Sequence, residues 1–339
     1  MNLQDVYCPY PECSDKGEVG KGNVVWFSRV RQRCKCRSCG RTFSYRRGTL
    51  FYGLRTAEQT VTQVVTLLAY GCPCQAIVAA FGLDERTVYA WQRRAGAHAR
   101  AVHEAHIGLL DLQQVQADEM RIRVQGQTVL WVAMAVMVAS RLWLGAVISP
   151  TRDRALIERL ACLVRRWAKK VALYITFDGF GPYRDAFERA FSDKARGRRG
   201  KGLVNCVWSC LSLASVVKHT KGCFNLQRFI LRGSPTMLAR LRTATQLDGG
   251  INTAFIERLN GTFRAYLAPL VRRTHGLART QLTITAAVFL LGTVYNFCRV
   301  HSSLKHSTPA MAAHLTDHVW SVSELLWFRP RLCFLSSTG

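Results

Sequence analysis

Acidic residues are scarce in this sequence: 21 aspartates and glutamates stand against 47 lysines and arginines in 339 residues, for a formal net charge of +26. Such an excess points to a polyanionic partner, and nucleic acid fits best. The basic residues are spread through a chain that is 49% hydrophobic and 10% aromatic, which excludes a mere basic tail. Met1 to Tyr10 has no apolar signal core and carries Asp5, so the thirteen cysteines are expected as thiols in a reducing cytoplasm and not as disulfides. Long apolar runs are also lacking. Thr128 to Ala139 is too short for a membrane span and Leu282 to Phe297 is broken by threonines, so a core strand and a core helix are expected and no membrane partner. No glycine-rich phosphate loop is present, so ATP is not implied. The length suggests two or three domains.

What is present begins with cysteine. Cys8 and Cys13 frame a turn containing Pro9 and Pro11, and Cys36 and Cys39 frame a second as Cys-Arg-Ser-Cys. Two such knuckles offer four thiolates to a structural Zn2+, around which a segment with almost no apolar core can fold. Cys34, two residues before Cys36, is a possible substitute ligand. Val24 to Phe27 and Arg29 to Arg33 read as the hairpin of this ribbon, over residues 1–50.

Residues 51–100 read as a helix-turn-helix. Val61, Val64, Val65 and Leu68 keep the spacing of one helix face, Gly71 ends that helix, and Pro73 suits the first turn of a second through Ile77, Val78 and Phe81. After Gly82-Leu83, Asp84 caps a third helix that buries Val88, Trp91 and Ala95 and leaves Arg86, Thr87, Arg93 and Arg94 for a major groove. His98, His103 and His106 follow on what reads as the surface of a helical linker.

From residue 107 the pattern changes to strands: Leu112 to Val124, Thr128 to Val138 and Arg141 to Ile148 form a meander, a helix covers Ala155 to Lys169, and the strand Val171 to Phe177 ends in Asp178-Gly179. An RNase H-like mixed sheet begins in this order. Asp118 lies inside the first strand, with its neighbour Glu119 directed to the opposite face as a rival. Asp153 and Asp185 suit a helix cap or a salt bridge. Further on, Asn252 opens a helix on which Glu257, Asn260 and Arg264 fall on one face. Phosphodiester transfer needs hard oxygen ligands for divalent cations, and Asp118, Asp178 and Glu257 supply three carboxylates for Mg2+ or Mn2+.

Taken in order, the Cys-x4-Cys and Cys-x2-Cys pair, Asp118-Glu119, Asp178-Gly179, and Ile-Glu257-Arg-Leu-Asn260 with Arg264 resemble the DDE transposases of bacterial insertion sequences that join a zinc ribbon and a helix-turn-helix to an RNase H-like domain. Tyr295-Asn-Phe-Cys-Arg-Val-His301-Ser-Ser-Leu304 and Thr308-Pro309-Ala310 resemble the end of that catalytic domain, here 107–310, followed by a tail, 311–339. Cys34 and Val300 depart from the pattern. The resemblance implies an α/β catalytic fold, binding of the element's terminal repeats and of target DNA as double-stranded DNA, metal-dependent cleavage and joining, a homo-oligomer on DNA, and a cytoplasmic, nucleoid-associated protein. Between the second and third acids, Lys194, Arg196, Arg198, Arg199 and Lys201 are expected in a loop near DNA phosphates. Leu203 to Val217 reads as a fifth strand with its approach, followed by Lys218, which could reach the scissile strand. His301 could orient a phosphate or cap the final helix. A zinc-containing DNA-binding regulator would not need the three acids, whereas a related nuclease would share them and differ in its products.

Overall fold

The structure is a computed structural model that describes residues 2–125, 129–196, 202–219, 225–246, 250–271 and 280–330. The chain divides into two compact units, one of Met1–His106 with Trp320–Gly339, the other of Ile107–Val319.

In the first unit, β1 (Val24–Ser28), β2 (Arg33–Cys36) and β3 (Thr42–Ser44) pair antiparallel in chain order. The expected second arm of the hairpin, Arg29 to Arg33, is instead mostly a turn, with Gln32 at φ 48°. The reason lies in burial: Cys34 and Cys36 alternate inward on β2 against Val24 and Phe43, whereas the one apolar residue of Arg29 to Arg31, Val30, is left 96% exposed.

The helices α1 (Glu58–Ala69), α2 (Cys74–Phe81) and α3 (Glu85–His106) pack on one another through the expected residues Val61, Val64, Val65, Leu68, Ile77, Val88, Trp91 and Ala95. Asp84 Oδ1 accepts a hydrogen bond from the Arg86 amide at 2.8 Å, capping α3. This helix runs on to His106 because Ala99, Val102 and His103 continue its buried stripe.

Its histidines are not a surface row. His103 is fully buried, His98 Nε2 meets the Leu325 carbonyl at 3.0 Å, and the His106 ring packs edge-on to Trp320. Burial lowers His98 to about 4. The segment responsible belongs to the expected tail, 311–339: the helical turn Val322–Trp327 sets Trp327 against Tyr45 and Phe51. Residues 331–339 of that tail lie outside the described residues.

The second unit is mixed α/β. It contains β4 (Gln114–Arg123), β5 (Val129–Met137), β6 (Trp143–Ser149), α4 (Arg154–Trp167), β7 (Leu173–Asp178), α5 (Pro182–Ala190), β8 (Ser192–Arg196), β9 (Leu203–Val207), β10 (Leu211–His219), β11 (Asn225–Arg232), α6 (Pro235–Gln246), α7 (Ala254–Tyr266), α8 (Gln281–Phe297) and α9 (Pro309–Ala312). Six strands form one sheet in the order β11-β10-β7-β4-β5-β6. β4, β5 and β6 make the antiparallel meander, β7 and β10 run parallel to β4 and to each other, and β11 returns antiparallel. The basic run after α5 is not simply a loop. Lys194 and Arg196 lie on β8, which pairs with β9 as a separate ribbon, so the stretch from Leu203 to Val217 is two strands in two sheets. Arg198, Arg199 and Lys201 lie outside the described residues, as do residues 272–279 of the basic, acid-free stretch that runs from Arg264 to Arg279.

The pleat of β4 sets the layers. Met120 and Ile122 join Leu130, Val132, Trp143 and Ile148 in a core closed by Ile256, Leu259 and Phe263 of α7 and Ile284, Val288 and Leu291 of α8. Each such side chain stabilises the fold by about 1.5–3 kcal/mol before its lost rotamer freedom is counted. The stretch Gln281–Leu304 is long and apolar enough to cross a membrane, yet it is mostly buried within the fold. Asn296 on α8 explains a further part: it accepts from the Trp143 amide at 2.9 Å and donates to the Trp143 carbonyl at 2.8 Å, satisfying backbone groups of edge strand β6.

Candidate functional site

β7 and β4 align in parallel, with Gln114, Val115 and Gln116 beside Tyr174, Ile175 and Thr176. The same offset carried on brings Asp118 level with Asp178, at the carboxyl end of β7. Directly after it, a side chain on Gly179 would meet Val217 Cγ2 at 2.8 Å, so only glycine lets the chain turn away here past β10. Asp118, Asp178, Glu257, Asn260, Arg264 and Lys218, all anticipated from sequence, line one cleft of about 750 Å³ together with Arg152 and Thr253.

Asp118, Asp178 and Glu119 present carboxylate oxygens within 4.8 Å of one another. Successive residues of a strand leave it on opposite faces, and Glu119 accordingly reaches the α4 and α5 side, where it is spoken for. Its Oε1 accepts from Arg152 Nε at 2.6 Å and also from Nη2, and its Oε2 accepts from the buried Tyr183 hydroxyl at 2.6 Å. Tyr183 is fixed in turn by stacking on Phe177, with ring centroids 4.8 Å apart. Asp118 is less committed. Its Oδ2 accepts from Asn260 Nδ2 at 2.7 Å. Burial pushes its carboxyl up to about 7, helped by the charges of Glu119, Asp178 and Glu257. Crowded carboxylates of this kind are relieved by a cation. Glu257 faces them from α7, accepting from Thr253 Oγ1 at 2.5 Å and from Lys218.

Gln116 positions α7. Its Oε1 accepts from the amides of Phe255 and Ile256 at 2.9 and 3.1 Å, and its Nε2 donates to the Asn252 carbonyl at 2.9 Å. It thus ties the helix bearing Glu257 and Asn260 to the strand bearing Asp118, two residues away. Sequence reasoning missed Gln116, although a polar residue on the buried face of an apolar strand was a visible signal. Arg152 was missed as well. Its guanidinium lies 4.0 Å from the Phe180 ring and reaches Asp178 Oδ2 at 3.4 Å. It sits in a polar loop where nothing marks one residue above another. Asp153 caps α4 through the Leu156 amide at 2.9 Å, and Asp185 is exposed on α5, both apart from the cleft.

In the first unit, Cys8, Cys13, Cys36 and Cys39 bring their sulfurs within 4.8 Å of one another. The Cys8–Cys39 and Cys13–Cys36 separations are both 3.7 Å. A tetrahedron with metal–sulfur bonds of about 2.3 Å has edges of about 3.8 Å, so the four residues fit a zinc-sized ion. Burial raises the Cys36 thiol, but the amides of Cys39 and Ser38 together with the Cys13 and Cys8 side chains bring it to about 7, whereas burial raises Cys8 and Cys13. Cys34 is not one of the four. It lies in the apolar core beside Phe43, and burial pushes its thiol up to about 11. Asp15, also unforeseen, joins the two knuckles by accepting from Lys21 at 2.5 Å and from Ser38.

The remaining predicted contacts are not among the residues that line the cleft. Arg86 and Arg93 are exposed on α3, Thr87 is half-buried, and Arg94 donates to the Tyr52 carbonyl, so it is not a free groove contact. Lys194 and Arg196 are exposed on β8. No protein-family model matches the chain, and no curated protein matches it either.

Proposed function

We propose that this chain is a transposase of the bacterial insertion-sequence type, which binds the terminal repeats of its element and carries out metal-dependent cleavage and joining of DNA strands. The observation that carries this reading is the convergence of Asp118 and Asp178 at neighbouring positions of parallel strands, with Glu257, Lys218, Asn260 and Arg264 in the same cleft. The strand order also supports an RNase H-like domain: a three-stranded meander, then parallel strands added beside its first strand.

Asp118, Asp178 and Glu257 would hold Mg2+ or Mn2+. When bound, a pair of such ions supplies activation of the attacking oxygen and neutralisation of the leaving one during in-line displacement at phosphorus. The protein's own groups do the rest. Asn260 fixes one oxygen of Asp118. Arg152 and Lys218 balance Asp178 and Glu257 and bring cationic donors to where a phosphate would lie. Arg264 adds a third. Glu119, held by Arg152 and Tyr183, positions the guanidinium rather than serving as a ligand.

In the first unit, the four cysteines would hold a structural Zn2+ in a zinc ribbon, and α2 and α3 would form a helix-turn-helix with Arg86 and Arg93 on its DNA-facing side. Joining two ends of an element requires a homo-oligomer on DNA. Manganese titration followed by electron paramagnetic resonance tests the site. The wild type binds Mn2+, and Asp118→Asn, Asp178→Asn and Glu257→Gln each weaken binding at least tenfold. Equal binding by all four proteins overturns the assignment.

A further inference from the structure

Helix α7 has a second charged side that the cleft does not use. Glu257, Asn260 and Arg264 face the acids, whereas Phe255, Arg258 and Thr262 recur at the same spacing on another flank, separated from the first by the buried seam of Ile256, Leu259 and Phe263. On that flank Arg141, from the turn after β5, places its guanidinium 4.2 Å from the Phe255 ring. Arg299 lies 3.7 Å over the Tyr266 ring. His301 packs edge-on to Tyr295, whose hydroxyl donates to the Arg141 carbonyl at 3.2 Å.

The charges are close enough to act on each other. Burial lowers His301, and the charges of Arg141 and Arg258 lower it further. Among the described residues, no carboxylate lies within ion-pair distance of Arg141 or Arg258. His301 Nδ1 accepts from Ser303, so the neutral ring carries its proton on Nε2 as a donor. Cations without acidic partners, interleaved with aromatic rings that hold them in place, recognise phosphate oxygens.

We infer that Arg141, Arg258 and His301 form a second phosphodiester-binding surface, across α7 from the acid cleft, that grips the DNA backbone flanking the reacting phosphate. This rests on the DNA-processing reading above and assigns to it a contact which that reading lacks. A helix is about 10–12 Å across with its side chains, so a backbone lying over α7 reaches both flanks within a few nucleotides. Arg258 is exposed and can meet phosphate without any rearrangement, while Arg141 is half-buried against Phe255 and would set the edge of the surface.

The test is the salt dependence of duplex binding by the full-length protein, measured by fluorescence anisotropy on DNA flanking its own gene. Arg258→Gln removes one phosphate contact and lowers the slope of log Kd against log salt by about 0.9, with melting temperature unchanged. Arg159→Gln, an exposed arginine on α4 at the other face of the sheet, removes the same charge and leaves the slope unaltered. An unchanged slope in Arg258→Gln, or an equal fall in Arg159→Gln, overturns the inference while wild-type binding stands. Absence of DNA binding by the wild type overturns the functional reading itself, and the inference with it.

Discussion

Replacing Gln116 by leucine is expected to damage the cleft without touching any of its acids. The side chain is fully buried, and it satisfies three backbone groups at the start of α7: the amides of Phe255 and Ile256 and the carbonyl of Asn252. The first amides of a helix have no partner within the helix, so leucine, of similar size, leaves them buried and unpaired. Each such group costs about 1–3 kcal/mol. Partial access of water to the exposed rim, where Asn252 is only half-buried, holds the total to about 3 kcal/mol. For a unit the size of Ile107–Val319, about 2–4 °C per kcal/mol gives a fall in Tm of about 6–12 °C by calorimetry. Below that temperature the protein stays folded, yet Mn2+ affinity and strand cleavage both drop, because Glu257 and Asn260 follow the displaced first turn. A Tm within 2 °C of wild type together with unchanged metal affinity would refute the claim that Gln116 anchors this helix.

Other expectations follow from particular contacts. The Asp118 carboxyl is raised from 3.8 to about 7, so the metal-free folded state holds a proton that the unfolded chain gives up at lower pH, and this group's contribution to stability is lost as pH rises from about 4 to about 7. Asp118→Asn should therefore stabilise the metal-free protein above pH 7, by at most about 4 kcal/mol, and leave it unchanged near pH 4; urea titration at the two pH values decides this, and a variant less stable at both contradicts it. Removing metal with a chelator should unfold the strands around Cys8, Cys13, Cys36 and Cys39, seen as release of one zinc per chain and a Trp26 emission shift; Cys34→Ser should retain the zinc. Gly292→Ala places a methyl 2.4 Å from the buried Trp143 ring and should cost more than about 2 kcal/mol by chemical denaturation.

Much of this was legible in the sequence because local rules and tertiary demands agree. The 3,4 spacing of Val61, Val64, Val65 and Leu68 set α1, the apolar run of the meander set its strands, and Asp178 before Gly179 marked a strand end. The cysteine spacing indicated which four sulfurs could meet. What could not be read was long-range. Nothing near His98 or His106 reveals that Trp320 and Leu325 return to cover them. The ribbon of β8 and β9, with exposed Leu203 and half-buried Val207, lacks the burial pattern by which strands are recognised. β11, with Phe229 and Ile230 exposed at the sheet edge, was missed for the same reason. Arg152 enters the cleft only because β6, α4 and β7 bring its loop beside Asp178.

The most direct test of the central claim is strand cleavage and joining by the purified protein on labelled DNA that flanks its own gene, with Mg2+ or Mn2+, comparing wild type with Asp178→Ala. The account predicts nicked and joined products that require the metal and vanish in the variant while end binding persists. Cleavage without joining would make the protein a nuclease. End binding with no metal-dependent cleavage by wild type would contradict catalysis at Asp118, Asp178 and Glu257.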